Sequence, residues 1–178
     1  MKLMLAAAAF SLGIAGCSST GVEQYRAETP VLKLEQYLNG QLDAWGIFQG
    51  RGGEVKKRFH VVIDAKWEKK DGLDVGTLDE HFTWSDGTTS QRVWTITRLA
   101  DGRYSGSAGD VVGAADGEAA GNALRWRYVL ALPVDGKVWN VDFDDWMYQM
   151  DDKVMLNRSE MSKFGISLGE VTLSFSKR

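Results

Sequence analysis

The chain has 178 residues, 21 basic and 24 acidic side chains, and a formal net charge of −3 at pH 7. That length suits one domain with a proper core, and the acidic balance excludes the basic face that nucleic-acid binding needs. A single cysteine excludes an intrachain disulfide.

The first 17 residues carry an address. Lys2 gives a positive start, Leu3 to Ile14 form an apolar run, and Ile14-Ala15-Gly16-Cys17 has the pattern of a lipobox, cut before a cysteine that is then acylated. The run is too short for a spanning helix and has the flanks of a secretory signal. The expected organisation is a signal peptide over 1–16, a lipidated Cys17 with a tether over 17–29, and one domain over 30–178. Ser18, where an Asp would favour retention at the inner membrane, points to the outer membrane, facing the periplasm. The expected membrane contact is therefore the lipid on Cys17, with no polybasic grip on lipid heads.

Thr29-Pro30 predicts a helix start, and Leu32, Leu34, Tyr37 and Leu38 before Asn39-Gly40 predict one short helix over 30–38. From Gln41 the apolar period changes to two. Phe59, Val61, Ile63 and Ala65 share one face of a strand, with Arg58, His60, Asp64 and Lys66 on the other. Leu124, Trp126, Tyr128, Leu130 and Leu132 repeat the pattern, as do Trp139, Val141, Phe143 and Met147. Asp-Gly pairs at 71–72, 86–87, 101–102, 116–117 and 135–136, with Asp151-Asp152 in the same series, predict tight hairpins. The predicted strands are 41–49, 55–68, 73–84, 90–99, 102–112, 114–121, 123–132, 137–149, 153–158 and 167–176. A long meander hides its edges by closing. The expected fold is all-β: a single up-and-down antiparallel β-barrel of about 9–10 strands, lipocalin-like (calycin-like), with a short N-terminal helix. The Gly/Ala-rich stretch from Ser105 to Gly121 has no phosphate-loop spacing and is read as strands bending or packing closely.

Chemistry-bearing patterns are sparse. Two histidines, His60 and His81, fall on outward strand positions, so no metal site and no cofactor are expected. No strand-turn-helix elbow holds a serine nucleophile, and the chain is not expected to be an enzyme. Alternation turns Asp145 inward with Phe143 and Met147, and places Glu80 between Leu78 and Phe82. An inward carboxylate needs a partner, and Arg158 on the next strand is the candidate. Such a pair either anchors a ligand's polar head or closes the barrel as a structural ion pair. Seven tryptophans exceed what a small core needs. Trp45, Trp126, Trp139 and Phe143 are candidates for the wall of an apolar cavity, with Glu80, Asp145 and Arg158 as polar positions.

Several segments together resemble a proteobacterial lipoprotein family, domain-of-unknown-function family 3833. They are Tyr37-Leu38-Asn39-Gly40, Ala44-Trp45-Gly46, Leu78-Asp79-Glu80-His81-Phe82, Arg92-Val93-Trp94, Gly121-Asn122-Ala123-Leu124, Phe143-Asp144-Asp145-Trp146-Met147-Tyr148, Leu156-Asn157-Arg158, Met161-Ser162-Lys163-Phe164-Gly165 and Gly169-Glu170-Val171. The resemblance runs from about residue 30 to 176. It implies a link to membrane lipid or envelope stress and brings no activity or site residues. The expectation is an envelope lipoprotein holding a fatty-acyl or other amphipathic ligand. The alternative is a rigid docking lipoprotein using Trp146, Tyr148 and the Met161–Gly165 segment, and the third reading is a lipid-modifying enzyme with Asp145 or Glu80 as base.

Overall fold

A computed structural model describes residues 21–134 and 136–178. The expected signal peptide over 1–16 and the expected lipidation at Cys17 lie outside the described residues.

Ten antiparallel strands form one closed barrel: β1 (Gly40–Gly50), β2 (Val55–Lys70), β3 (Leu73–Trp84), β4 (Thr89–Arg98), β5 (Tyr104–Ser107), β6 (Ala115–Ala120), β7 (Ala123–Val134), β8 (Lys137–Gln149), β9 (Val154–Lys163) and β10 (Ile166–Lys177). Each strand pairs with its chain neighbours, and β1 pairs with β10 from Leu42–Lys177 to Gly50–Gly169, so the ladder closes on itself, although β5 covers β4 only from Thr95 to Arg98. The period-two pattern sets the walls. On β2, Phe59, Val61, Ile63 and Ala65 are buried, while Arg58 and Lys66 face out.

The hairpin punctuation holds at most corners. Asp71 and Gly72 adopt φ of 51° and 83°, the left-handed pair a tight turn requires. Asp116-Gly117 differs: it lies inside β6, and Gly117 sits there because the Trp126 ring packs flat against it. The β9–β10 corner instead uses Phe164 and Gly165, both at positive φ. Strand β9 runs to Lys163, five residues beyond its predicted end, because Asn157 and Ser159 are inward positions filled by polar side chains. Strand β5 ends at Ser107, and the chain then leaves the sheet until Ala115, bridging Val111 to Leu130 on the way.

One end of the barrel is plugged. The helix α1 spans only Leu34–Tyr37. Pro30 does not open it, because the chain stays extended through Leu32, whose N–H donates to Gly121 O at 2.8 Å. Leu34, Tyr37 and Leu38 fall on one side at helical spacing and join the main core. Polar atoms fix the plug: Tyr37 Oη donates to Lys153 O (2.8 Å), Trp67 Nε1 to Leu38 O (2.6 Å) and Tyr104 Oη to Glu35 Oε2 (2.9 Å). Ahead of it, a 3-10 turn over Val22–Tyr25 covers the outer wall, with Tyr25 edge-on to Trp146 and Tyr148.

Candidate functional site

The barrel encloses a cavity of about 600 Å³, within the ~300–1,000 Å³ range of small-molecule pockets. Its floor is Leu34 and Leu38 on the plug. At the other end it reaches Lys57 and Val134, both about half exposed, beside the turn at 85–88 and Gly136. The cavity therefore opens opposite the plug.

Large apolar side chains make most of the wall. Trp94 stands edge-on to Trp126 and to Tyr128, and Tyr128 stacks on Phe143 at 5.1 Å. Gly106 and Gly117 face the Trp126 ring from β5 and β6; a Cβ on Gly106 would come within 2.5 Å of it. These two glycines let an indole lie against the sheet.

A polar cluster crosses the middle of this apolar space. Glu80 on β3 stands opposite Arg92 on β4. Arg92 turns its fork to Asp110: Nε donates to Oδ1 and Oδ2 at 3.1 and 3.0 Å, and Nη2 to Oδ2 at 2.6 Å. Asp110 comes from the excursion after β5, pinned there by Ala131 N–H donating to Asp110 O at 2.9 Å. Across the cavity Tyr128 Oη donates to Asp145 Oδ2 at 3.1 Å, and Ser159 Oγ donates to Oδ1 of the same carboxylate. Asn157, the next inward residue on β9, donates from Nδ2 to Trp146 O at 3.3 Å.

Burial raises both interior carboxyls. It pushes Glu80 up to about 7 against the pull of the Arg92 guanidinium, with Asp110 and Asp145 adding to the rise. It pushes Asp145 up to about 7 although the Ser159 and Tyr128 hydroxyls favour the ionised form. Burial also raises the Tyr128 phenol well above its ordinary value, with Asp145 beside it.

Of the residues singled out in the sequence, Glu80, Trp126, Phe143 and Asp145 line the cavity. Three do not. Trp45 is on the outer face of β1, 53% exposed and stacked on His60, because Ala44 and Gly46 hold the inward positions. Trp139 keeps inward parity but lies two residues beyond Val141, the first buried position of β8, with Lys163 Nζ over its ring. Arg158 is outward and pairs with Glu170 at 2.6 Å. The register explains it: Asp145 faces Ser159, and Arg158 faces Trp146, one residue out of phase. The cation of the interior is Arg92, which the sequence reading did not single out, along with Asp110 and Tyr128. Alternation with the buried Trp94 and Ile96 was the signal for Arg92. No local signal existed for Asp110, which reaches the cavity from a segment outside the sheet.

His60 and His81 are on the outer wall, beside Asp43 and Asp79. Trp146 and Tyr148, outward as expected, are half-buried beneath the chain's own Tyr25. Met161 faces the cavity.

The profile of the family described as "Protein of unknown function (DUF3833)" matches residues 11–177. The chain belongs to family DUF3833. Its place there agrees with the sequence resemblance, and the family carries no assigned activity. No curated protein matches the chain. Among solved structures, a de novo designed fluorescence-activating β-barrel is similar at 11% identity and a TM-score of 0.44, covering 83% of this DUF3833 chain and 99% of the design. That likeness carries no argument about this chain.

Proposed function

We propose that this protein is a binding module that holds an amphipathic, acyl-chain-bearing molecule inside its barrel, tethered to the outer membrane on its periplasmic side through lipid on Cys17. The observation that carries the reading is the cavity itself: about 600 Å³, aromatic-walled, floored by Leu34 and Leu38 and open at one end. An acyl chain fits the apolar depth, and a polar head meets Glu80, Arg92 and Asp145 midway. An ion pair serving only to close the barrel accounts for less, since Glu80 has no hydrogen-bond partner among the described residues and the strand ladder closes without it. The reading is of a carrier or receptor, not a catalyst. The lipid anchor rests on the Ile14–Cys17 pattern.

Native mass spectrometry with lipid extraction, on protein purified from its own host's envelope, tests this. A co-purifying acylated species of defined mass is expected. A clean unliganded mass, unchanged after adding envelope lipids, would overturn it.

The docking reading draws on a different observation. Phe164 (88% exposed), Val138 (70%) and Ile166 (55%) crowd the rim at the open end. In-cell crosslinking from position 164 to one reproducible protein partner would favour that reading.

A further inference from the structure

We infer that the polar head of the bound molecule is a hydrogen-bond donor, an amine or a hydroxyl, and not an anion such as a free carboxylate or phosphate. The inference rests on the binding reading above and adds the chemistry of the head.

It follows from what the cavity wall has left to offer. Three carboxylates, those of Glu80, Asp110 and Asp145, face the cavity against one guanidinium, Arg92. Asp110 takes the Nε and Nη2 face of that guanidinium. The hydroxyls beside the cluster, on Tyr128 and Ser159, are both turned as donors onto Asp145, and that of Ser90, at the exposed mouth, accepts from Trp84 Nε1. The unused groups are therefore mostly acceptors. The Glu80 carboxylate has no hydrogen-bond partner among the described residues although it stands opposite Arg92. Asn157 is 3% exposed and lines the cavity, and its Nδ2 is committed to Trp146 O, which leaves Oδ1 without a hydrogen-bond partner among the described residues. Lys57, at the mouth, is held by Asp86 at 2.8 Å.

An anionic head entering the cluster would leave its hydration shell to meet an excess of like charge, with Arg92 Nη1 as the cluster's spare charged donor among the described residues. A donor head finds Glu80 and Asn157 Oδ1 waiting. An ammonium head gains most, since its bonds to Glu80 are charge-assisted. Burial that holds Glu80 and Asp145 near 7 sharpens the contrast. Above that pH the cluster of Glu80, Asp110, Asp145, Arg92 and Tyr128 carries its full negative excess. Below it, the two raised carboxyls are neutral and tolerate an anion better.

Calorimetric titration of the purified protein with dodecylamine, dodecanol and dodecanoic acid, each below its micelle concentration, tests the inference. At pH 8 at least one of the two donor heads is expected to bind about tenfold or more tighter than the acid, the difference one charge-assisted hydrogen bond makes. On going to pH 5.5, dodecylamine should weaken and dodecanoic acid should gain. Amine above alcohol identifies a cationic head; alcohol above amine identifies a neutral one. Dodecanoic acid binding within threefold of both donors at pH 8 would overturn the inference while leaving cavity binding intact. Failure of all three to bind would remove the binding reading, and this inference with it. In Glu80→Gln the advantage of the amine over the alcohol should vanish, with the fold checked by circular dichroism.

Discussion

Arg92 stands directly opposite Glu80 across β3 and β4, yet its fork closes on Asp110, 18 residues along the chain. The interior cation is thus committed to a loop carboxylate, and Glu80 is left open to the cavity. That choice ties the excursion after β5 to the barrel wall and sets the polarity of the cavity at the same time.

Removing the cation should therefore cost stability. Arg92→Met leaves Asp110 and Glu80 facing each other without compensation, and a loss of about 2–4 kcal/mol is expected, less than for a fully buried pair because the cavity admits water. Asp110→Asn should cost less. Urea unfolding of the three proteins, compared at one pH, measures both.

The raised carboxyls make stability depend on pH with a definite sign. Glu80 and Asp145 have folded-state values near 7, above their ordinary values of 4.5 and 3.8. Between those limits the folded state binds more protons than the unfolded chain, so the contribution of these groups is complete below about pH 4 and is lost as pH rises through 7. Glu80→Gln should reduce the stability lost between pH 5 and 8 by about 1–2 kcal/mol. Chemical denaturation across that range, wild type against variant, would show it; an unchanged slope would remove Glu80 as its source.

Gly117 and Gly106 hold Trp126 against the wall. Gly117→Ala puts a methyl into the indole, which Trp94 hems in, while Tyr104 Cβ stands 3.2 Å from the new methyl. A loss of about 1–3 kcal/mol is expected from overpacking. Trp126→Ala should cost about 3–5 kcal/mol and enlarge the cavity. Thermal melts of both variants check the order.

The N-terminal segment rests on Gly121. Its φ is +55°, and a Cβ there would strike the Tyr25 carbonyl. Gly121→Ala is expected to detach residues 21–33 from the barrel end and to release the Leu32 amide from its bond to Gly121 O. Hydrogen exchange at Leu32 should then accelerate while the amides of β2 and β3 stay protected.

Barrel and meander were legible because strand burial writes itself as alternation and several of the tight turns carry Asp-Gly pairs, which tolerate positive φ. Asp116-Gly117 misled for a physical reason: glycine serves turns and also makes room for rings, and composition alone does not separate the two uses. The parity of Asp145 was legible from Phe143 and Met147 on its own strand. Its partner was not, because which residue of β9 faces it is a register, and shifting by one exchanges Ser159 for Arg158. Asp110 was out of reach altogether, since its position depends on a segment that leaves the sheet and returns through Val111.

The most direct test of cavity binding is methyl NMR during titration with a nitroxide-labelled acyl amine. Met147 and Met161 line the cavity, whereas Met150 lies in the turn at the plugged end and is 54% exposed. Occupation of the barrel should broaden the Met147 and Met161 methyl signals at stoichiometric probe more strongly than that of Met150, about 10 Å further along the chain. Sharp Met147 and Met161 signals at saturating probe, or broadening of Met150 alone, would contradict a ligand inside the barrel.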